Sequence, residues 1–261
     1  MPGTIVVPLD GSRFAERALA PAAEVARRSG ARVVVLSARY GGVVVEPRHY
    51  LEEAARAAGI VDPVLVVIDD RLAASAIVSV VAEIPDPVVC MTTHARQAVG
   101  QALFGSVAEE TLRRVDAPAL LVGPSMLEGP VSFEEIVVCV DGSVAATAIV
   151  PVAAAWARDL KLDITVVGVV EPGPESELAA SVEAVARDLE AGSPRVRRQI
   201  LHAAHAADGV VEFVRERPRA FVALATHGRT GLARLTAGSV TMAVVHSAPC
   251  AVLTVRPPGL V

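Results

Sequence analysis

Short apolar runs recur along the chain. In the first half they are Ile5–Leu9, Val33–Leu36, Val64–Ile68, Val88–Met91 and Ala119–Val122. They are continuous in Val, Ile and Leu rather than alternating, which predicts strands buried on both faces and hence a parallel sheet between layers of helix. The second half shows the same rhythm. Ile136–Val140, Asp163–Val170, Val196–His202, Phe221–Ala225 and Cys250–Val255 read as strands. Between them, helices are predicted from a cap at Ser143 to about Arg158, over Ser176–Glu190, Asp208–Arg217 and Ser239–His246. The second of these rests on Leu178, Val182, Val185 and Leu189, whose spacing keeps one helical face apolar. Pro21 and Pro151 fall at equivalent places in the first helix of each half, where they kink it or mark where its first turns end.

The halves are copies of one another. "IVVPLDGS" (Ile5–Ser12) returns as "IVVCVDGS" (Ile136–Ser143), an offset of 131. "TTHARQAVGQALFGSV" (Thr92–Val107) returns as "ATHGRTGLARLTAGSV" (Ala225–Val240), and "DAPALLVGP" (Asp116–Pro124) as "SAPCAVLTV" (Ser247–Val255). The blocks keep their order, as two repeated domains require. These are expected over residues 1–127 and 134–261, with a loop-like joint at Ser125–Glu135. The predicted fold is therefore α/β: two five-stranded, parallel-sheet, Rossmann-like domains. The repeat and the short joint predict that they pack as an intramolecular pseudo-dimer, with Ala119–Val122 and Cys250–Val255 as candidates for pairing across it. A homodimer of the whole chain is the further assembly considered.

Three features of the second copy converge where such sheets bind ligands, beyond the carboxyl ends of the strands. Asp141 follows the first strand, Val169 lies near the end of the second, and a glycine loop follows the fourth. That loop runs from Ala225 through Gly228 and Arg229 to Gly238, Ser239 and Val240, with nine residues between the two glycines. Glycine lets backbone N–H groups approach phosphate oxygens closely, and a helix start adds unpaired donors and partial positive charge. The Ser239 hydroxyl can cap that helix and donate to a phosphate. Arg229 and Arg234 add charge. Glycine loops and strand-end carboxylates also serve as ordinary turns, so the spacing admits a purely structural reading.

Composition narrows the function. The net charge of -5 argues against nonspecific nucleic-acid binding, which needs basic surface. The N-terminal "MPGTIVVPLDGS" has no basic segment and is not expected to be a signal peptide. Val144–Ala157, the longest apolar run, contains Pro151 and falls short of the roughly 20 residues that span a bilayer. The cytoplasm is the expected location. Cys90, Cys139 and Cys250 are widely spaced and read as buried, inert thiols. No P-loop or nucleophile-elbow motif occurs, and Lys161 lies outside the glycine loops. His94 and His227 read as structural loop residues, and His202 with His205 lacks a third metal ligand. No dedicated enzyme activity is expected.

The combination of "VDGS" (Val140–Ser143), "THG" (Thr226–Gly228) and "GSV" (Gly238–Val240) resembles the universal stress protein family in its tandem two-domain form. The resemblance covers essentially the whole chain, twice. It implies an ATP-binding stress-response regulator, with or without Mg, whose conformation or interactions depend on the bound nucleotide. Any ATP hydrolysis would be slow. The resemblance implies that Asp141 and Val169 hold the adenosine end, and that Gly228, Gly238, Ser239 and Val240 hold phosphates. The family's motif, G-x-x-G, nine residues, G-S/T, is incomplete here. Ala225 replaces the first glycine of copy two, and copy one has Thr92 and Ala95 in place of both early glycines. Copy one keeps Asp10 and Ala38 at the adenosine end and Gly105, Ser106 and Val107 at the phosphate end, so it reads as the weaker site. The alternatives are a stress-response module that acts through pairing surfaces without nucleotide, and an adenylating enzyme of the same broad fold.

Overall fold

The computed structural model describes residues 3–39, 46–93, 105–172, 177–191, 195–226 and 238–257. The chain forms two compact units, Met1–Pro124 with Glu128–Val131, and Ser125–Leu127 with Ser132–Val261.

Unit 1 runs β1 (Thr4–Pro8), α1 (Arg13–Glu16), α2 (Leu19–Ser29), β2 (Arg32–Arg39), α3 (Pro47–Ala57), β3 (Val64–Asp69), α4 (Ala73–Ala82), β4 (Pro87–Thr92), α5 (Ser106–Arg114) and β5 (Ala119–Val122). Its strands pair in parallel in the order β3-β2-β1-β4-β5. Unit 2 repeats the plan with β6 (Glu135–Cys139), a 3-10 turn at Ala146–Ile149, α6 (Val150–Leu160), β7 (Asp163–Val170), α7 (Leu178–Glu190), β8 (Val196–His202), α8 (Ala206–Arg215), β9 (Ala220–Ala225), α9 (Ser239–Ser247) and β10 (Val252–Val255). Its order is β8-β7-β6-β9-β10, again parallel. Each unit is thus an α/β Rossmann-like sheet. In each, the chain builds outward from the first strand to one side and then crosses to the other. The switch point lies between β1 and β4 in unit 1 and between β6 and β9 in unit 2.

The central strands are buried as their apolar runs predict. Ile5, Val6 and Val7 of β1, Ile136, Val137 and Val138 of β6, and all of β9 are buried. In unit 2 the core is aromatic at its centre: the fully buried Phe221 ring lies 4.8 Å from that of Phe133 and 5.8 Å from that of Trp156. The outer strands do not follow the prediction. Val64 of β3 is exposed, and β8 exposes Arg197, Arg198 and Gln199. An outermost strand is covered less completely than a central one, and charge along it discourages pairing with other chains. Arg198 is held to α7 by Glu183 at 2.7 Å and Glu190 at 2.8 Å.

The first helix of each unit is broken rather than continuous. In unit 2, Ser143 Oγ accepts from Ala146 N at 3.1 Å, but the next element is the 3-10 turn, and α6 then restarts with Pro151 in its first turn. In unit 1, α1 ends at Glu16 and α2 restarts with Pro21 as its third residue. Proline lacks the N–H that would bond one turn back, so it is tolerated in a first turn and ends whatever helix precedes it.

Gly168 sets how closely α7 lies on β7. A Cβ there would fall 2.8 Å from Val182 Cγ2 and 2.9 Å from Leu178 Cγ. Gly168→Ala is therefore expected to destabilise unit 2 by about 1–3 kcal/mol through overpacking. Urea unfolding followed by Trp156 fluorescence measures this; an unchanged midpoint would show that α7 shifts without cost.

Candidate functional site

The site is built at the strand ends of unit 2. Asp141 lies two residues beyond β6, and Gly142 between it and Ser143 has φ +85°, a value glycine adopts without strain. The Asp141 carboxylate accepts from Ser143 N at 3.0 Å and from Ser143 Oγ at 2.6 Å. This short turn fixes Asp141 at the edge of the sheet, half-buried. The register pairs Cys139 with Val167 and Val138 with Ala223. Continued along the strands, it sets Val169 level with Asp141 and Ala225 level with Val140. Val169 turns its side chain toward α8, where a Cβ on Gly209 would lie 3.0 Å from Val169 Cγ1. Its contribution to a ligand would be its backbone.

The other side of the candidate site begins at Ala225, the last residue of β9 and itself buried. Its carbonyl accepts from Thr241 Oγ1 at 2.9 Å. The next residue, Thr226, is also buried, and its carbonyl accepts from Gly238 N. These bonds tie the end of β9 to the start of α9. Gly228 and Arg229, with Arg234 and His227, lie outside the described residues. The structure corrects the expected role of Ser239. Gly238 is the N-cap of α9, with φ −61° and ψ 153°, there is no side-chain cap, and Ser239 is the first helical residue. A cap side chain must stand outside the helix to reach back to its second or third N–H, and Ser239 is already inside. The Gly238 dihedrals suit any residue. The first intrahelical bond is Met242 N to Gly238 O at 3.0 Å. Ser239 and Val240 stand exposed at this end. By contrast, the start of α8 is occupied by the protein itself, since Glu171 Oε1 accepts from Ala206 N at 2.7 Å.

Unit 1 carries the same skeleton. Asp10 accepts from Ser12 N at 2.9 Å, Ser12 Oγ accepts from Ala15 N at 3.1 Å, and Gly11 has φ +82°. Pro8 pairs with Leu36, which sets Ala38 level with Asp10. Gly105 N donates to Thr93 O at 2.6 Å and caps α5, leaving Ser106 and Val107 exposed in its first turn. Thr92 ends β4; His94 and Ala95 lie outside the described residues. Sequence patterns give no sign of two further residues here. Tyr50 Oη donates to Glu16 Oε1 at 3.0 Å beside the Asp10 corner. The pair is 34 residues apart, and no local pattern links them.

The cysteines offer no nucleophile. Cys90 Sγ donates to Ala18 O at 3.2 Å in the core of unit 1. Burial pushes the Cys90 thiol well up, and those of Cys139 and Cys250 up to about 12. Cys139 keeps some exposed surface. Protons held in the native state beyond the ordinary thiol value are lost first by the unfolded chain. Stability from these thiols is thus complete below the ordinary thiol value of 9.0 and falls as pH rises from there toward about 12. Denaturation midpoints measured from pH 8 upward should decline, and Cys→Ser variants should flatten that decline. Among the described residues no group of three His, Cys, Asp or Glu side chains could hold a metal ion, and no helix is long and apolar enough to cross a membrane.

The fold and the strand-end corners define a tandem α/β protein of the Rossmann-like type. The family model described as the universal stress protein family matches residues 42–123 and 132–256, and the chain belongs to that family. No curated protein matches it. A universal stress protein from Archaeoglobus fulgidus DSM 4304 is similar over 98% of this chain and 99% of its own, at 17% identity and a TM-score of 0.64. A functionally unknown protein from Pseudomonas aeruginosa PAO1 is similar over 99% of this chain and 94% of its own, at 16% identity and a TM-score of 0.66.

Proposed function

We propose that the chain is an adenine-nucleotide-binding stress regulator that takes ATP at the strand ends of unit 2. The observation that carries this reading is the start of α9, which has no side-chain cap and is tied by Gly238 to the end of β9, next to β6, the strand that Asp141 follows. N–H groups in the first turn of a helix lack intrahelical partners and favour anions, which suits phosphate. A half-buried carboxylate accepts hydrogen bonds, which suits the hydroxyls or amino group of adenosine. Gly228 and Arg229 belong to the same proposal from the sequence. Mg would arrive as the nucleotide's own counter-ion. Occupancy would bias conformation or protein interactions in the cytoplasm, without dedicated catalysis.

Native mass spectrometry of the purified chain, with and without added ATP, tests this by counting nucleotides per chain. ATP at about 100 times its dissociation constant should also stabilise the site-bearing unit by roughly 2.7 kcal/mol, read from the Trp156 melting transition. No bound nucleotide and no shift at saturating ATP would leave the interaction-module reading standing.

A further inference from the structure

The two strand-end corners differ in what stands over them. In unit 1, Tyr50 reaches from α3 to α1, where its hydroxyl donates to Glu16 Oε1 at 3.0 Å. The Gly11 backbone N–H, in the middle of the Asp10–Ser12 turn, also bears on the phenol oxygen. The ring is half-buried, and both Glu16 and Asp10 bear electrostatically on it. Burial, followed by the charge of Glu16, pushes the phenol's ionisation well up, so it stays a neutral donor.

Unit 2 has neither group. The repeat offset of 131 sets Thr147 opposite Glu16. Helix α7 sets Ser181 opposite Tyr50: each is the fourth residue of its helix and makes its first one-turn bond, Tyr50 N to Glu46 O and Ser181 N to Glu177 O. Each is followed by a buried residue, Leu51 and Val182. Thr147 turns its hydroxyl to Val144 O at 2.8 Å. Among the described residues, the unit 1 corner therefore carries an aromatic ring and two carboxylates where the unit 2 corner carries the Asp141 carboxylate. The described part of the phosphate end is alike in the two units: a glycine N-cap without a side-chain cap, bonded back to a threonine carbonyl.

We propose that Tyr50 and Glu16 close the strand-end corner of unit 1 to nucleotides, and that these two side chains make the halves of the chain unequal in occupancy. The inference rests on the nucleotide reading above. The phenol, fixed on Glu16, stands at the Asp10–Ser12 turn and crowds the approach to Asp10. The Glu16 carboxylate adds a second negative charge, which repels an anionic ligand.

Photolabelling of the full chain with 8-azido-ATP, followed by peptide mapping, separates the two halves. The parent should label peptides of unit 2 and leave the Asp10 peptide unlabelled. Glu16→Thr with Tyr50→Ser, which installs the residues of unit 2, should raise labelling of the Asp10 peptide on the order of tenfold. Tyr50→Phe keeps the ring and releases its hydrogen bond to Glu16, and should give part of that gain. It carries the test alone if the double variant melts far below the parent. No gain at the Asp10 peptide, or equal labelling of it in the parent, overturns this inference whatever unit 2 does. Absence of label from unit 2 of the parent overturns the nucleotide reading, a separate readout in the same experiment.

Discussion

Gly238→Asp is expected to weaken ATP binding about 100-fold or more while leaving the melting temperature unchanged or slightly raised. The two effects have opposite signs because one group of backbone donors serves both. Gly238 caps α9 with extended dihedrals that an aspartate adopts freely. Aspartate is a better N-cap than glycine by a few tenths of a kcal/mol, and its charge suits the helix dipole. The same carboxylate would take the N–H groups of the first turn and repel phosphate from them. Like charges set close together cost several kcal/mol, and about 2.7 kcal/mol already corresponds to 100-fold. Gly238→Asn, which caps without a full charge, should fall between aspartate and the parent. Calorimetric titration and thermal melting on the three proteins read both effects. Parent-like affinity in Gly238→Asp would remove the start of α9 from the proposed phosphate site.

Phe221→Ala should destabilise unit 2 by about 3–5 kcal/mol, the usual range for deleting a buried aromatic ring. Phe221 is fully buried in β9, between Phe133 and Trp156. The cavity would open beside strand β6, which pairs with β9 from Glu135↔Ala220 to Val138↔Ala223. Little on the same face of β9 could refill it, since the next residue on that face, Ala223, is small and already buried. For a unit of this size the loss should lower the transition by about 10 °C or more. Trp156 reports it directly. Phe221→Leu keeps most of the volume and should lose well under half as much. Equal losses in the two variants would mean that ring geometry, rather than filled volume, holds this core.

The proposed site follows the fold closely. Asp141 and the start of α9 follow the two strands between which the strand order reverses, and parallel pairing brings those strands side by side. Their order in the chain, with the fourth strand crossing to the far side of the first, creates a crevice in each unit.

The sequence by itself determined the duplication, the alternation of strand and helix, and the placing of Asp10 and Asp141 at glycine-containing turns. These are local signals. An apolar run specifies a strand, proline ends a helix that precedes it, and a short Asp-Gly-Ser segment folds onto its own backbone, as the Asp141 to Ser143 bonds show. Tertiary structure alone decided three other matters. Val64 and Arg198 lie in runs that read as strands like the buried central ones, but each is on an outermost strand of its own unit, and position in a sheet is not written into a single run. Gly238 rather than Ser239 became the cap, because the bond from Gly238 to Thr226 fixes where α9 begins. Tyr50 met Glu16 because α3, packed on β2 and β3, carries its hydroxyl to the end of α1. Such contacts join residues far apart in the chain, so their energy depends on the assembled fold and leaves no periodicity in the sequence from which to read it.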